Sequence, residues 1–243
     1  MNKVSVDLSA PSPYVEQDGR MHRFKRRLSY GFAFRLIKRH FGSAGPKSVL
    51  EVGTGSGFFL DFFAQEYPTA SAAGVEYDER LLEVTRARAP RATCIQGNAE
   101  TFDLSPQTFD LIVSFQVIEH LYEPERLVKQ ARRHLAPGGL LILTTPNLAG
   151  VGARHMGQKW HGYRDDHVSL KTADQWKSLV EAQGFRTTYS GSTFFSGIPW
   201  MNRMPLGLVN WGLLTVFGAW RWQQGEAYVG AFVPAEPREP SAR

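Results

Sequence analysis

The sequence predicts an α/β domain, with helices alternating around a mostly parallel sheet, and three observations predict it. The first is an elbow. The apolar run Val49-Leu50-Glu51-Val52 breaks into Gly53-Thr54-Gly55-Ser56-Gly57 and resumes as Phe58-Phe59-Leu60-Asp61-Phe62-Phe63, a strand, a glycine-rich turn and a helix in that order. The second is a series of further strand-like runs near 72–76, 92–96, 109–114 and 140–145, with helical or turn-rich segments between them. The third is composition: 243 residues, 42% hydrophobic and 21% charged, suit one soluble α/β domain with additions.

Residues 1–19 are polar, contain Pro11 and Pro13, and read as a flexible arm without a signal peptide, so the expected compartment is the cytoplasm. Residues 20–41 read as a helix, because Phe24, Leu28, Phe32 and Leu36 recur every four positions and Ile37 and Phe41 extend the stripe. The other face is basic. Residues 1–45 hold nine Lys and Arg against three Asp and Glu, so the formal net charge of +5 belongs to this end and the body is near neutral. A basic helical segment at 20–45 can be a packed helix with a solvated face, a lid over a cleft, or an amphipathic surface for anionic lipid or an anionic substrate. Nucleic acid is not expected, since no nucleic-acid motif accompanies the charge.

The main domain spans 46–233. Its first strand, about 47–52, runs into the glycine loop, where the absence of Cβ atoms permits sharp turns and close ligand approach. The spacing is G-x-G-x-G, and Phe58 stands where a dinucleotide fingerprint needs its last glycine; no Gly-Lys-Ser/Thr follows, so a P-loop is excluded. A helix runs to Tyr67-Pro68. The strand 72–76 ends in Glu76, roughly 20 residues after the loop, where α/β nucleotide folds place a carboxylate for ribose hydroxyls. Asp78 and Glu79 suit the next helix start better, which frees Glu76 for a ligand. That helix, 78–88, closes at Ala89-Pro90. Cys94, the single cysteine, lies in the next strand-like run as a small hydrophobe. After the turn Gly97-Asn98-Ala99-Glu100, Phe102 and Leu104 either flank a base or pack in the core.

The run 109–114 continues into Phe115-Gln116-Val117-Ile118-Glu119-His120-Leu121. A helix follows from Pro124 through Leu135, ended by Ala136-Pro137-Gly138-Gly139, and the strand 140–145 leads to Pro146-Asn147. Residues 150–169 form a long connection at the crevice side of the sheet, with His155, Trp160, His161, Tyr163, Asp165, Asp166 and His167 as polar handles. Thr172 and Gln175 fit a capping box for a helix that Gly184 stops, before a strand at 185–190. Between Phe194 and Trp220 the one charge is Arg203. Met204–Trp220 falls short of the roughly 20 residues that span a bilayer, so 194–224 reads as a lid-like apolar insertion, with membrane contact left open. A last strand lies near 226–233, and 234–243 reads as a disordered tail.

Four motifs in order, Glu51-x-Gly53-x-Gly55-x-Gly57, Glu76, FDLIVSFQVIEHL at 109–121 and LAPGGLLILTTPN at 135–147, resemble the class I S-adenosylmethionine (SAM)-dependent methyltransferases over about residues 45–190. Within that class they resemble especially the ubiquinone-biosynthesis-like small-molecule O-methyltransferases. The resemblance implies a Rossmann-like seven-stranded sheet whose last strand runs antiparallel at the edge. It implies SAM as the cofactor, held by Glu51, Gly53, Thr54, Gly55, Gly57, Glu76, Tyr77, Asn98, Ala99, Phe115 and Gln116. Asn98 departs from the family's acid in Gly-Asp-Ala; it keeps an acceptor oxygen but not the charge. The implied function is methyl transfer to a small or lipid-like acceptor, with oxygen the expected acceptor atom. A hydroxyl acceptor must lose its proton, and His120 is the first candidate base, then His167, then His161. Some relatives bind a divalent metal through Glu-x-x-Glu-His; here the aligned residues are Gln116, Glu119 and His120, and the amide weakens a hard-cation site, so no essential metal is expected. Two alternatives stand beside this reading: an NAD-dependent oxidoreductase, and a non-catalytic SAM-binding protein associated with a membrane through 20–41 or 194–220.

Overall fold

In the computed structural model, β1 (Ser48–Val52), β2 (Ser71–Glu76), β3 (Thr93–Gln96), β4 (Phe109–Phe115), β5 (Leu135–Pro146), β6 (Phe185–Ser192) and β7 (Ala227–Pro234) form one sheet in the order β3-β2-β1-β4-β5-β7-β6. The structure describes residues 19–193, 209 and 221–235. The expected arm before residue 19, nearly all of the apolar insertion and the tail from 236 onward lie outside the described residues. The strands β1 to β5 pair in parallel, and β7 runs antiparallel to both β5 and β6. The sheet is Rossmann-like, mostly parallel, with an antiparallel last strand.

The central strands are apolar on both faces because both faces are covered. Side chains alternate, so each strand feeds two cores. Leu50, Val52, Ile112, Leu141, Leu143 and Phe232 pack with α5 (Pro124–His134) and α7 (Ala173–Ala182). Val49, Leu111, Val113, Ile142 and Val229 pack with α2 (Gly31–Phe41) and α3 (Phe58–Glu66). Further helices are α1 (Arg20–Ser29), α4 (Glu79–Arg88) and α6 (Val151–Met156). Thr172 and Gln175 form the expected capping box at the start of α7.

Four expectations need correction. The helix expected over 20–41 breaks at Tyr30 into α1 and α2. Ser29-Tyr30-Gly31 is a poor helix-forming trio. The Tyr30 ring turns into Phe59, Phe62 and Phe115, with centroids 5.6, 6.3 and 5.3 Å away, which a straight helix would forgo. α1 buries no residue, and Phe24 of the expected stripe is exposed; ion pairs hold this helix to α3, Arg23 to Asp61 and Arg27 to Glu66, both at 2.6 Å. Next, α5 ends at His134, one residue before the expected Leu135, and Ala136-Pro137-Gly138-Gly139 already belong to the extended β5. The long connection at 150–169 contains a short helix, α6, and a 3-10 turn at Gly157–Lys159. Finally, β7 inserts between β5 and β6, so the edge strand is β6.

The last two corrections share one device. Asn147, fully buried just past β5, donates through Nδ2 to the carbonyls of Gln223 and Gly225 (2.8 and 2.9 Å) and accepts at Oδ1 from the amides of Ala149 and Ala173 (3.1 and 3.0 Å). It thereby ties the start of β7, the start of α7 and the post-β5 loop together. Glu226, also fully buried, accepts from the Gly152 amide (2.9 Å) and the Trp160 indole N–H (2.6 Å), fixing α6 and the loop after it. Each bond lost at such a site strands a buried partner at a cost of roughly 1–3 kcal/mol. We expect Asn147→Ala to lower the free energy of unfolding by about 3 kcal/mol or more, read from urea denaturation; a change under about 0.5 kcal/mol, the usual size at an uninvolved surface site, would show that the clamp carries no weight.

Candidate active site

The carboxyl ends of β1, β2 and β4 meet at a glycine-lined corner. The register pairs Glu51 with Gly74 and Val52 with Val75, and the Gly53 amide donates to the Val75 carbonyl at 2.7 Å. Gly53 has φ +79°, and a Cβ there would fall 2.3 Å from Val117 Cγ2, so this position requires glycine both for its backbone and for the close approach of the post-β4 loop. Gly55, φ +52°, differs: a Cβ there would meet nothing within 4 Å. The loop therefore packs against protein at Gly53 and presents bare backbone to open space at Gly55.

Glu76 faces this loop. Its Oε2 accepts from the Gly55 amide (2.8 Å), and its Oε1 accepts from the amides of Tyr77 (2.8 Å) and Asp78 (3.1 Å). Burial raises its pKa, and the three amide bonds oppose that rise. The helix-start role falls to Asp78, which caps α4 by accepting from the Arg80 amide at 3.0 Å. Glu51, beneath the loop, is buried, with Oε2 unpartnered. The sugar-gripping carboxylate and the glycine loop expected from the sequence thus stand together, and a carboxylate oxygen bonded once keeps a lone pair for a further donor.

The other predicted cofactor residues are spread around this corner. Thr54 is buried against Thr85, their hydroxyl oxygens 3.2 Å apart, and Gly57 leads into α3. The Tyr77 ring is exposed. Asn98 uses its side-chain oxygen to accept from the Glu100 amide at 2.7 Å, which shapes the turn that carries Ala99. Phe102 packs in the core and lies parallel to the His134 ring. Phe115, at the end of β4, sits among Tyr30, Phe32 and Phe59. Gln116 has φ +57°, unusual for a residue with a side chain, and its Nε2 donates to Thr144 Oγ1 at 3.3 Å. Strained backbone of this kind concentrates at functional corners.

The 3-10 turn Ile118–His120 then brings together residues far apart in sequence. His120 Nδ1 lies 2.9 Å from the Asp166 carbonyl, and His167 Nδ1 lies 2.8 Å from the Gly162 carbonyl. A carbonyl only accepts, so each Nδ1 carries a proton. The two imidazoles meet edge to face with centroids 4.7 Å apart, and the Asp166 carboxylate stands 3.6 Å from His120 Nδ1. Burial, the largest influence, lowers the pKa of His120, so the ring is neutral near pH 7. Beneath them Glu119 is fully buried with neither carboxylate oxygen hydrogen-bonded, and desolvation pushes its pKa to about 8. Ligand atoms of Glu119, His120 and His167 lie within 4.8 Å of one another, a geometry that could hold a metal ion. Gln116, aligned with the missing carboxylate, bonds to Thr144. His161 sits edge-on against Trp160 at 5.4 Å. His120 and His167 were each expected as candidate bases, but not their convergence with each other and with Asp166, because a separation of about 46 residues leaves no local signal.

Comparison with known proteins gives a consistent picture. The family model for the methyltransferase domain matches residues 22–190. A Mycolicibacterium smegmatis protein named "probable S-adenosylmethionine-dependent methyltransferase" is 38% identical over 101 residues, which is 42% of this chain and 38% of that protein. The ubiquinone biosynthesis O-methyltransferase of Idiomarina loihiensis is 31% identical over 119 residues, 46% of this chain and 47% of that one. The chain spans less than half the length of these curated relatives. Among solved structures, the plantazolicin methyltransferase BpumL in complex with SAH matches with a TM-score of 0.64 and 18% identity, over 94% of this chain and 89% of that one, a likeness of fold.

Glu51 offers a test that needs no substrate. Burial, reinforced by the Glu76 charge, holds its carboxyl well above the ordinary range, while the Leu60 amide bond pulls the other way. Folding therefore takes up a proton at Glu51 above the ordinary glutamate pKa of about 4.3, and this contribution to stability declines as pH rises. Glu51→Gln keeps an acceptor for Leu60 and removes the titration. We expect its stability relative to the parent, measured by urea denaturation without cofactor, to improve between pH 5 and pH 8; a pH-independent difference would mean that Glu51 is ionised in the fold.

Proposed function

The chain belongs to the SAM-dependent methyltransferase domain family, and from that premise we propose that it moves a methyl group from SAM to the hydroxyl oxygen of a small or lipid-like acceptor. One observation carries the reading: the Glu76 carboxylate stands against the glycine loop and bonds to Gly55. When bound, SAM supplies a methyl group already activated by the sulfonium charge. Glu76 would hold the ribose hydroxyls by charge-assisted bonds. The bare backbone at Gly55 lets the cofactor approach, with Gly53, Thr54, Gly57 and Glu51 shaping the loop around it. The turn Asn98-Ala99 would border the adenine, Tyr77 would stand at its rim, and Phe115 and Gln116 would close the corner toward the acceptor. The family match displaces the nicotinamide-dependent alternative.

His120 accepts the proton of the acceptor hydroxyl at Nε2, while Nδ1–H stays fixed on the Asp166 carbonyl. His167 packs across the ring and holds its tilt. Holding oxygen and methyl in line can itself lower such a barrier by about 7–11 kcal/mol in favourable cases, and a positioned base adds about 10²–10⁴-fold. No metal enters this scheme. A second reading has the geometry of Glu119, His120 and His167 in its favour: one carboxylate and two imidazoles form a donor set that suits zinc, iron or manganese better than magnesium.

Among the described residues no helix is long and apolar enough to cross a membrane. Peripheral contact enters the proposal through α1, where Met21 and Phe24 are exposed next to Arg20 and Lys25.

Calorimetric titration with SAM tests the first part: the parent protein binds and Glu76→Ala loses about tenfold or more in affinity. Failure of the parent to bind, or unchanged binding by the variant, refutes it. His120→Ala should cut kcat by about 10²–10⁴-fold while SAM affinity holds. Treatment with a chelator separates the two roles of the histidine cluster. Unchanged turnover supports the metal-free base, whereas loss restored by one added divalent ion supports the second reading.

A further inference from the structure

Tyr30 stands at the junction of α1 and α2, and its ring packs against Phe59, Phe62 and Phe115. Phenylalanine would supply that packing equally well. What the packing leaves unexplained is the hydroxyl. Tyr30 makes its hydrogen bonds through the backbone: the amide donates to the Arg26 carbonyl at 3.1 Å, and the carbonyl accepts from the amides of Ala33 and Phe34 at 2.9 and 3.2 Å. Among the described residues the hydroxyl has no partner. Burial pushes its pKa above the ordinary tyrosine range, Glu51 pushes the same way, and Arg26 and Arg88 oppose. The residue nevertheless keeps some exposure, so the group lies within reach of a ligand. A tyrosine hydroxyl that is taken out of bulk water usually finds a partner, and this one waits for it.

The order of the sheet places the group beside the cofactor corner. The strands β3, β2, β1 and β4 lie side by side in that order. The Asn98-Ala99 turn follows β3, and Glu76 ends β2. A nucleoside with its base at β3 and its ribose at β2 therefore carries whatever lies beyond the ribose over β1 toward β4, two strand spacings or about 10 Å away. Glu51 belongs to β1 and Phe115 ends β4. Tyr30 packs on Phe115, with centroids 5.3 Å apart, and lies close enough to Glu51 for their charges to interact. In SAM the part beyond the ribose is the sulfonium and an amino-acid end, with one ammonium and one carboxylate. The charges that act on the Tyr30 hydroxyl are likewise of both signs, Glu51 against Arg26 and Arg88, which suits a zwitterion. A phenolic O–H donates, and a carboxylate only accepts.

We infer that Tyr30 is a cofactor-binding residue whose hydroxyl donates to the carboxylate at the amino-acid end of SAM. The inference rests on the methyl-transfer reading and adds the junction of α1 and α2 to its cofactor site. The break in the helix then serves binding as well as packing, because it turns the ring toward Phe115.

The test is calorimetric and needs no acceptor. The probes are SAM, S-adenosylhomocysteine and 5′-methylthioadenosine, which keeps the adenine, ribose and sulfur but lacks the amino-acid end. The proteins are the parent, Tyr30→Phe and Glu76→Ala. Tyr30→Phe keeps the ring and removes one oxygen, so the packing holds; circular dichroism checks this. We expect Tyr30→Phe to lose about tenfold in affinity for SAM and for S-adenosylhomocysteine, since the bond runs to a charged acceptor, and to bind 5′-methylthioadenosine within about twofold of the parent. Glu76→Ala should weaken all three, because each keeps the ribose. Unchanged binding of SAM by Tyr30→Phe overturns the inference and leaves the methyl-transfer reading intact. A loss for SAM alone would put the hydroxyl at the sulfonium, and an equal loss for 5′-methylthioadenosine would put it at the nucleoside or show a disturbed corner; either overturns the inference. If the parent binds none of the three probes, the methyl-transfer reading fails and the inference falls with it.

Discussion

The structure turns on a carboxylate that is nearly buried and yet satisfied. Glu76 loses most of its hydration at the end of β2 and recovers hydrogen bonds from the amides of Gly55, Tyr77 and Asp78. Bonds to an ionised acceptor are stronger than neutral ones, so these amides fix the glycine loop and the start of the next turn at once. Moving the loop away would strand the charge. Because the Gly53 backbone lies hard against Val117, the position set at Glu76 passes on to the loop after β4. One side chain therefore fixes the cofactor corner and, through it, the approach to the histidines.

The acceptor side is built on a different principle. Its residues come from β4, from the loop after β5 and from the approach to β7, and buried polar clamps hold them together. Asn147 and Glu226 bond the segments near 150, 173 and 225. The Ser169 amide donates to the Glu119 carbonyl at 2.9 Å, which locks the loop carrying His167 onto the turn carrying His120. Polar groups buried in this way cost little while paired and much when a partner is lost, which explains how a long connection can hold two imidazoles 4.7 Å apart.

Much of this was legible residue by residue. The strand, glycine turn and helix around Gly53–Gly57 rest on local backbone chemistry, and so does the capping box at Thr172. Assigning Glu76 to a ligand depended on Asp78 being the better cap, and the structure uses Asp78 that way. The break at Tyr30 was not legible, because the periodicity of the apolar stripe crosses it unbroken. The gain that breaks the helix is a ring packed against Phe59 and Phe115, residues distant in sequence. The position of β7 was hidden for a similar reason: alternation within a strand reports that it is covered, not which strands flank it.

By itself the sequence determined what depends on near neighbours: the chain order of the strands, the elbow at the glycines, the acid that ends β2 and the family to which these belong. The tertiary structure decided what depends on convergence. It seated β7 inside the sheet and joined Glu119 and His120 to His167. Local conformation follows from steric and hydrogen-bonding rules that act over a few residues, so a linear pattern can carry it. A cluster arises only when the burial of remote apolar faces and the pairing of remote polar groups are satisfied together, and no single stretch of chain holds that information.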